Sequence, residues 1–410
     1  GLFSYRATIP RRGLQPCLRL TVTTIFSWIT LAWGSRHSVL PSKMRSCEQG
    51  ASTTTPWPRD VSRPVKVAFL LQDFTMGGIS QWIYTVCREL HRCDPGAWDF
   101  HFIATHGWVI QERFQQIGRA VYLGRPNKRP NWFVWRRVTA YLRRLAPDIV
   151  QFSNLEVYLD ICRRVKPPVV IDRKAGLRTL DRYDLRGVDA VISQNQQVFD
   201  AIEGEAPKTF LAYHGVDIEE LNAVIPNRLG FGPEALIVGQ VSRLGEGQNH
   251  ELLVDAVITL RRRHPQVKLV LVGGTTPQAG SVDRLPILRN YASPLSDDAV
   301  ILGPVDEPYP YIAGFNVATC TSTRGFTEGA PRKLIEPMAM GIPCVTTDSG
   351  ATSEVVENGV NGFVVPDGDL DGLVRRLEQL IADAPLHQTF ATSARETVSR
   401  KFNIVNQSKK

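Results

Sequence analysis

The chain has 410 residues, 43% hydrophobic and 21% charged, which indicates a soluble globular protein of two ordinary-sized domains. Its net charge of +8 is uneven: residues 1–60 carry eight Arg or Lys against Glu48 and Asp60, leaving about +2 on the rest and excluding a generic nucleic-acid groove. The seven cysteines form no CxxC and no Cys/His cluster of zinc spacing, so a structural zinc site is excluded and they read as reduced core residues of a cytosolic protein.

Residues 1–60 begin at Gly1, reach the first methionine only at Met44, and are rich in Arg, Ser, Thr and Pro. The apolar run Ile25–Trp33 is too short to span a bilayer. It is a signal core, part of a transit peptide, or sequence upstream of a true start at Met44; the last reading is preferred, and the segment is expected to be an unstructured, dispensable leader.

A first domain is expected over residues 61–220. Val65–Leu71 is apolar almost throughout, as a buried parallel strand is. The loop Asp73–Gly78 follows with a glycine pair, Gly77 and Gly78, and then a helix from about Ser80 to His91. Strand, glycine pair and helix make either a simple tight turn or a loop that phosphate can approach. Strands at 100–104, 120–123, 148–152, 168–171, 190–193 and 209–213 alternate with helices at 109–117, 131–145, 155–165 and 196–202, which predicts a parallel sheet covered on both faces. In the helix from Asn131 to Leu145, Trp135, Val138, Leu142 and Leu145 share a face and Arg136, Arg137, Arg143 and Arg144 lie mostly off it. That is a packed helix with a solvated arginine face, or a patch for a membrane surface.

Proline and glycine punctuate a linker over residues 221–235. A second domain is expected over 236–385, with strands opening at Leu236, Val267, Ala299 and Val317. Its centre is Phe326–Thr347. Ala330-Pro331 opens a helix there, Leu334, Ile335, Met338 and Ala339 give its apolar face, Gly341 ends it, and Ile342, Cys344 and Val345 start a strand. Glu328 precedes this helix and Glu336 lies about two turns on, so both could face one ligand. A helix from Asp369 to Ala382 follows, and a last one over residues 386–410 is expected to cross back to the first domain.

These residues resemble family 4 retaining glycosyltransferases (glycosyl transferases group 1) of the GT-B fold, in which two Rossmann-like α/β domains face each other across a cleft. The resemblance rests on Glu328 and Glu336 as an E-x7-E pair, on EPMAMGIPCV after it, on Val241-Ser242-Arg243-Leu244, on His214-Gly215-Val216-Asp217, and on Asp348–Glu354 with Glu357–Pro366. It runs from Val65 to Phe402 and is strong in the second domain and loose in the first. It implies sugar transfer from a nucleotide-sugar to a hydroxyl with anomeric retention, in polysaccharide or glycolipid synthesis, without a metal or cofactor. The acceptor would be a saccharide or lipid-linked, and the protein cytoplasmic, at times at the inner face of a membrane. Glu336 would hold the ribose, and Glu328, Gly329, Ala330 and Leu334 would line the donor sugar and phosphates. Gly77 and Gly78 would admit the phosphates to the first domain. Arg243 would neutralise the diphosphate, since fixed cations in a dry cleft stabilise a leaving nucleotide.

Two departures from the family pattern bear on the chemistry. The family's lysine near Arg243 is Gln248 here, which can donate a hydrogen bond but carries no charge; Arg332 or Lys333 would compensate if the helix turned them inward. The family's His-x-His pair is also missing: Gln151-Phe152-Ser153-Asn154 follows Pro147–Val150, so only Ser153 or Asn154 could meet a hydroxyl there. His106 and His214, at other strand ends, read as loop histidines. A non-catalytic binding protein of the same fold and a nucleotide-sugar epimerase are the alternatives.

Overall fold

The structure is a computed structural model that describes residues 63–74, 78–105, 112–124, 130–153, 156–174, 176, 185–205, 207–275, 282–325 and 328–407. The leader with Met44, together with Gly77, His106 and Asn154, lies outside the described residues.

In the first lobe, β1 (Val65–Leu71), β2 (Trp98–Ala104), β3 (Arg119–Tyr122), β4 (Ile149–Ser153), β5 (Val169–Lys174), β6 (Ala190–Ser193) and β7 (Thr209–Leu211) form one parallel sheet, ordered β3-β2-β1-β4-β5-β6-β7. Helices α1 (Gly78–Cys93), α2 (Glu112–Ile117), α3 (Trp132–Leu145), α4 (Glu156–Val165) and α5 (Gln196–Ile202) connect them. Strand side chains alternate between faces. Val67, Phe69 and Leu71 therefore pack with Trp82, Ile83 and Leu90 of α1, and Ala68 and Leu70 pack with Val134, Val138 and Leu142 of α3 and Tyr158 of α4. Covering both faces is what makes β1 apolar throughout.

Past α6 (Ile218–Asn222), the second lobe repeats the plan with six parallel strands ordered β10-β9-β8-β11-β12-β13. They are β8 (Leu236–Val241), β9 (Val267–Val272), β10 (Ala299–Leu302), β11 (Val317–Cys320), β12 (Cys344–Thr347) and β13 (Gly362–Val365). Their helices are α7 (His250–Arg261), α8 (Arg284–Tyr291), α9 (Tyr309–Ala313), α10 (Arg332–Ala339), α11 (Leu370–Ala382) and α12 (Ala384–Lys401). One face of the sheet packs on α7 and α11 through Leu253, Val257, Leu373 and Leu377; the other packs on α10 and α12 through Leu334, Met338, Ala394 and Val398. The strand order reverses between β1 and β4 in one lobe and between β8 and β11 in the other. Such switch points open crevices at the carboxyl ends of strands.

Helix α10 differs slightly from expectation. It starts at Arg332, with Pro331 extended before it, and a second proline, Pro337, lies inside. It ends as expected: Gly341 takes a left-handed φ of +76°, and the N–H groups of Gly341 and Ile342 bond the carbonyls of Met338 and Pro337 at 3.0 and 2.9 Å.

The lobes are tied at several points. The Glu354 carboxylate accepts from the backbone N–H groups of Gln196 and Gln197 at 2.8 and 3.2 Å and from the Tyr213 hydroxyl at 2.9 Å. After α12, the Phe402 carbonyl accepts from Val216 N–H at 2.9 Å. Among the described residues no helix is long and apolar enough to cross a membrane.

Candidate functional site

Four loops meet at the carboxyl edge of the second sheet. The loop after β8 brings Gln248, the end of β11 brings Ser322, the segment before α10 brings Glu328, and the turn after β12 brings Gly350. Glu328 Oε1 accepts from Ser322 Oγ at 2.7 Å, Lys333 Nζ at 2.8 Å and Gln248 Nε2 at 3.0 Å. Lys333 also donates to Ser322 Oγ at 2.9 Å and to Gln248 Oε1. The first turn of α10 thus folds its lysine back over the glutamate five residues earlier. Burial alone would raise the Glu328 carboxyl, but Lys333 beside it, with the bonds from Lys333, Ser322 and Gln248, holds it below the usual carboxylate range. Lys333 is buried too, yet neighbouring Cys320 and Glu328 keep its ammonium above its ordinary value. Gly350, at φ +60°, lets the two loops touch: a Cβ there would lie 2.3 Å from the Glu328 carbonyl oxygen, which instead accepts from Ala351 N–H at 2.8 Å.

Glu336 forms a second pair one turn on. Arg332, four residues earlier on α10, donates to Glu336 Oε1 from Nε at 2.8 Å and from Nη2 at 2.6 Å, and also to the Tyr309 hydroxyl at 3.1 Å. Burial opposes the Arg332 charge, but Glu336 and Tyr309 hold its guanidinium above the ordinary value. Among the described residues these bonds all end on Oε1, which leaves Oε2 of Glu328 and of Glu336 to meet a ligand.

The other predicted residues are distributed as follows. Arg243 lies just past β8 on the loop that carries Gln248 and is exposed. Ala330 and Leu334 are core residues, 1% and 0% exposed, so only their backbone could meet a ligand; Gly329 is half-buried beside them. Gly78 is the first residue of α1 and faces His214, whose Cε1 lies 3.7 Å from where a glycine Cβ would sit. In the segment after Pro147–Val150, Ser153 is buried at the end of β4. His214 lies in the loop after β7, as expected, and is buried there. It is 7% exposed, and burial, with Arg173 and then Arg332 of the opposite lobe, pushes it well below the ordinary histidine range. Sequence reasoning missed Ser322, Tyr309, Gln194 and Arg173, which belong to no motif.

Two parallel-sheet lobes with a carboxylate pair at the switch point of the second define the GT-B class of proteins. Residues 233–383, which make up most of the second lobe, match the family model Glycosyl transferases group 1. The chain is 28% identical to the capsular polysaccharide biosynthesis glycosyltransferase CapM of Staphylococcus aureus over 41% of this chain and 42% of that one. It is 31% identical to N-acetyl-alpha-D-glucosaminyl L-malate synthase of Bacillus anthracis over 34% of this chain and 35% of that one. The aligned parts thus span less than half the length of these curated relatives. HepE of Anabaena, solved in complex with UDP-glucose, superposes with a TM-score of 0.68 at 21% identity, covering 83% of this chain and 97% of that one, which shows the fold.

Proposed function

We propose that the protein is a retaining glycosyltransferase that moves a sugar from a nucleotide-sugar to a saccharide hydroxyl. The observation that carries this reading is a pair of carboxylates, half-buried Glu328 just before α10 and buried Glu336 on it, each held by a cation of α10 and each with its hydrogen bonds on Oε1. Glu336 Oε2 would accept from the ribose hydroxyls, and Glu328 Oε2 from a hydroxyl at the sugar end. The anomeric carbon breaks its bond to the diphosphate oxygen and forms one to the acceptor oxygen. The acceptor proton would pass to the departing diphosphate oxygen, and Arg243 and Lys333 would offset the negative charge that remains on the nucleoside diphosphate. Lys333 stands within bonding distance of the neutral Gln248, which supports the reading that it compensates for the missing family lysine. Protein cations suffice for this role, so activity should survive a chelator.

Helix α3 bears on the acceptor. Trp132 and Phe133 are 54% and 49% exposed with ring centroids 3.9 Å apart and tilted at 30°, Arg136 lies over Trp132, and Arg137, Arg143 and Arg144 are exposed nearby. An aromatic pair among arginines suits an anionic membrane surface and a lipid-linked acceptor at the inner face of a membrane. Flotation with anionic vesicles should carry the protein at low salt and lose it on Trp132→Ala with Phe133→Ala; no binding at low salt would remove this partner.

The activity is tested by incubating the protein with a panel of nucleotide-sugars, with and without saccharide acceptors, and resolving the products. Transfer with retained anomeric configuration is expected. An epimerised nucleotide-sugar formed without acceptor, or no turnover of any donor, would overturn the proposal.

A further inference from the structure

The bulkiest fully buried side chain among the described residues is a cation, Arg173, 1% exposed at the carboxyl end of β5. Both neighbours in sequence are accounted for: Asp172 and Lys174 point to the opposite face of the sheet and pair with each other at 2.9 Å. Arg173 points toward α1. Its guanidinium lies over the Trp82 ring at 5.1 Å, its Nη2 donates to Gln194 Oε1, and the same Nη2 is 3.5 Å from His214 Nε2. Its Nε and Nη1 have no hydrogen-bond partner. Among the described residues no carboxylate forms an ion pair with it, whereas Arg332 and Lys333 each have one.

Neighbouring polar atoms are unsatisfied in the same way. Ser153, its register partner on β4, has a buried hydroxyl without a partner, and Gln194 Nε2 and His214 Nδ1 are also buried and unmatched. The first residue of α1, Gly78, abuts His214. Burial pulls the Arg173 guanidinium down to about 9, outweighing the pull of the Asp172 charge on the opposite face of the sheet. An isolated buried charge is strongly unfavourable. A surplus of donors converging on one spot is matched by an oxyanion.

We propose that Arg173 is the first lobe's oxyanion-binding residue, taking a phosphate or carboxylate oxygen of a substrate with Ser153, Gln194 and His214 around it. The carrier is the diphosphate of the donor or an acidic group on the acceptor. This deepens the glycosyltransferase reading and rests on it only for the identity of that carrier, because a simple inorganic anion probes the site directly.

The test compares the wild type with Arg173→Met, Arg173→Gln and Arg173→Lys by thermal melts and titration calorimetry. The probes are inorganic pyrophosphate, a panel of nucleoside diphosphates, and inorganic phosphate added to protein saturated with nucleoside diphosphate. Without anion, Arg173→Met should melt at or above the wild-type temperature, since it removes an uncompensated charge, whereas a structural arginine would lower it. If the donor is the carrier, pyrophosphate and nucleoside diphosphate bind at least tenfold more weakly to the Met and Gln variants, with partial recovery in Arg173→Lys. If the acceptor is the carrier, nucleoside diphosphate affinity is unchanged and inorganic phosphate binds the saturated variants at least tenfold more weakly. Folded variants that bind all three probes as the wild type does would overturn the inference, as would a lowered melting temperature with unchanged anion affinity. Transfer by the wild type is scored separately, so failure here leaves the glycosyltransferase reading standing.

Discussion

Lys333 meets two demands with one ammonium. It neutralises a half-buried carboxylate, and it stands at the position where Gln248 brings no charge. Lys333→Met would leave Glu328 half-buried with no cation, raise its pKa and cost an electrostatic contribution of about 10²–10³ in kcat/KM, read by steady-state transfer. Gln248→Lys would set a second ammonium beside the first, so it should lower the melting temperature without raising kcat/KM. The E-x7-E spacing, Gln248 and the two candidate compensating cations were legible in the residues. Which way Lys333 turns was not, because that depends on Ser322 and Gln248, remote in sequence and brought together only by the strand order. Arg173 was illegible for a related reason: in VVIDRK it reads as one more strand residue, and only the sheet's alternation shows that it faces α1 alone while Asp172 and Lys174 face away.

At the scale of elements, alternation of apolar strands and amphipathic helices was enough to anticipate the parallel sheets, and Gly341 enough to end α10. Helix α7 went unread although its Leu252, Leu253, Ala256, Val257 and Leu260 are buried, since apolar residues on most of its surface blur the helical period. Helix α8 buries only Leu288 within its span, so little periodicity existed to read. The turn after β12 is where an element carries function most directly. Gly350→Ala would force a Cβ to 2.3 Å from the Glu328 backbone oxygen at a φ of +60°, and backbone cannot yield as a flexible side chain does. It should displace Glu328 and lower kcat/KM at least tenfold, while Gly368→Ala, also at positive φ but with nothing within 4 Å, should leave kcat/KM unchanged.

For the whole molecule, buried histidines held below their ordinary pKa set the acid limit, His214 and His250 above all. Burial, with Lys333 and Arg284, lowers His250 to about 3, and His214 is likewise held well below its ordinary value. The unfolded chain therefore takes up protons first as pH drops below about 6.5, and stability falls through that window by about 1.4 kcal/mol per pH unit for each such histidine. Glu328 acts lower down: its folded pKa is depressed, so its contribution is present above the ordinary carboxylate value and lost as pH falls through the folded one. Urea midpoints measured from pH 7.5 to 5 should fall, and His250→Gln should flatten the slope.

The most direct measurement is calorimetric titration of nucleoside diphosphates into the wild type and into Glu336→Gln. Saturable binding of at least one nucleotide is expected, weakened at least tenfold in the variant because Glu336 Oε2 can no longer accept the ribose hydroxyls as a charged group. Equal affinity in both proteins, or no nucleotide binding to the wild type, would contradict the assignment of α10 as the donor grip.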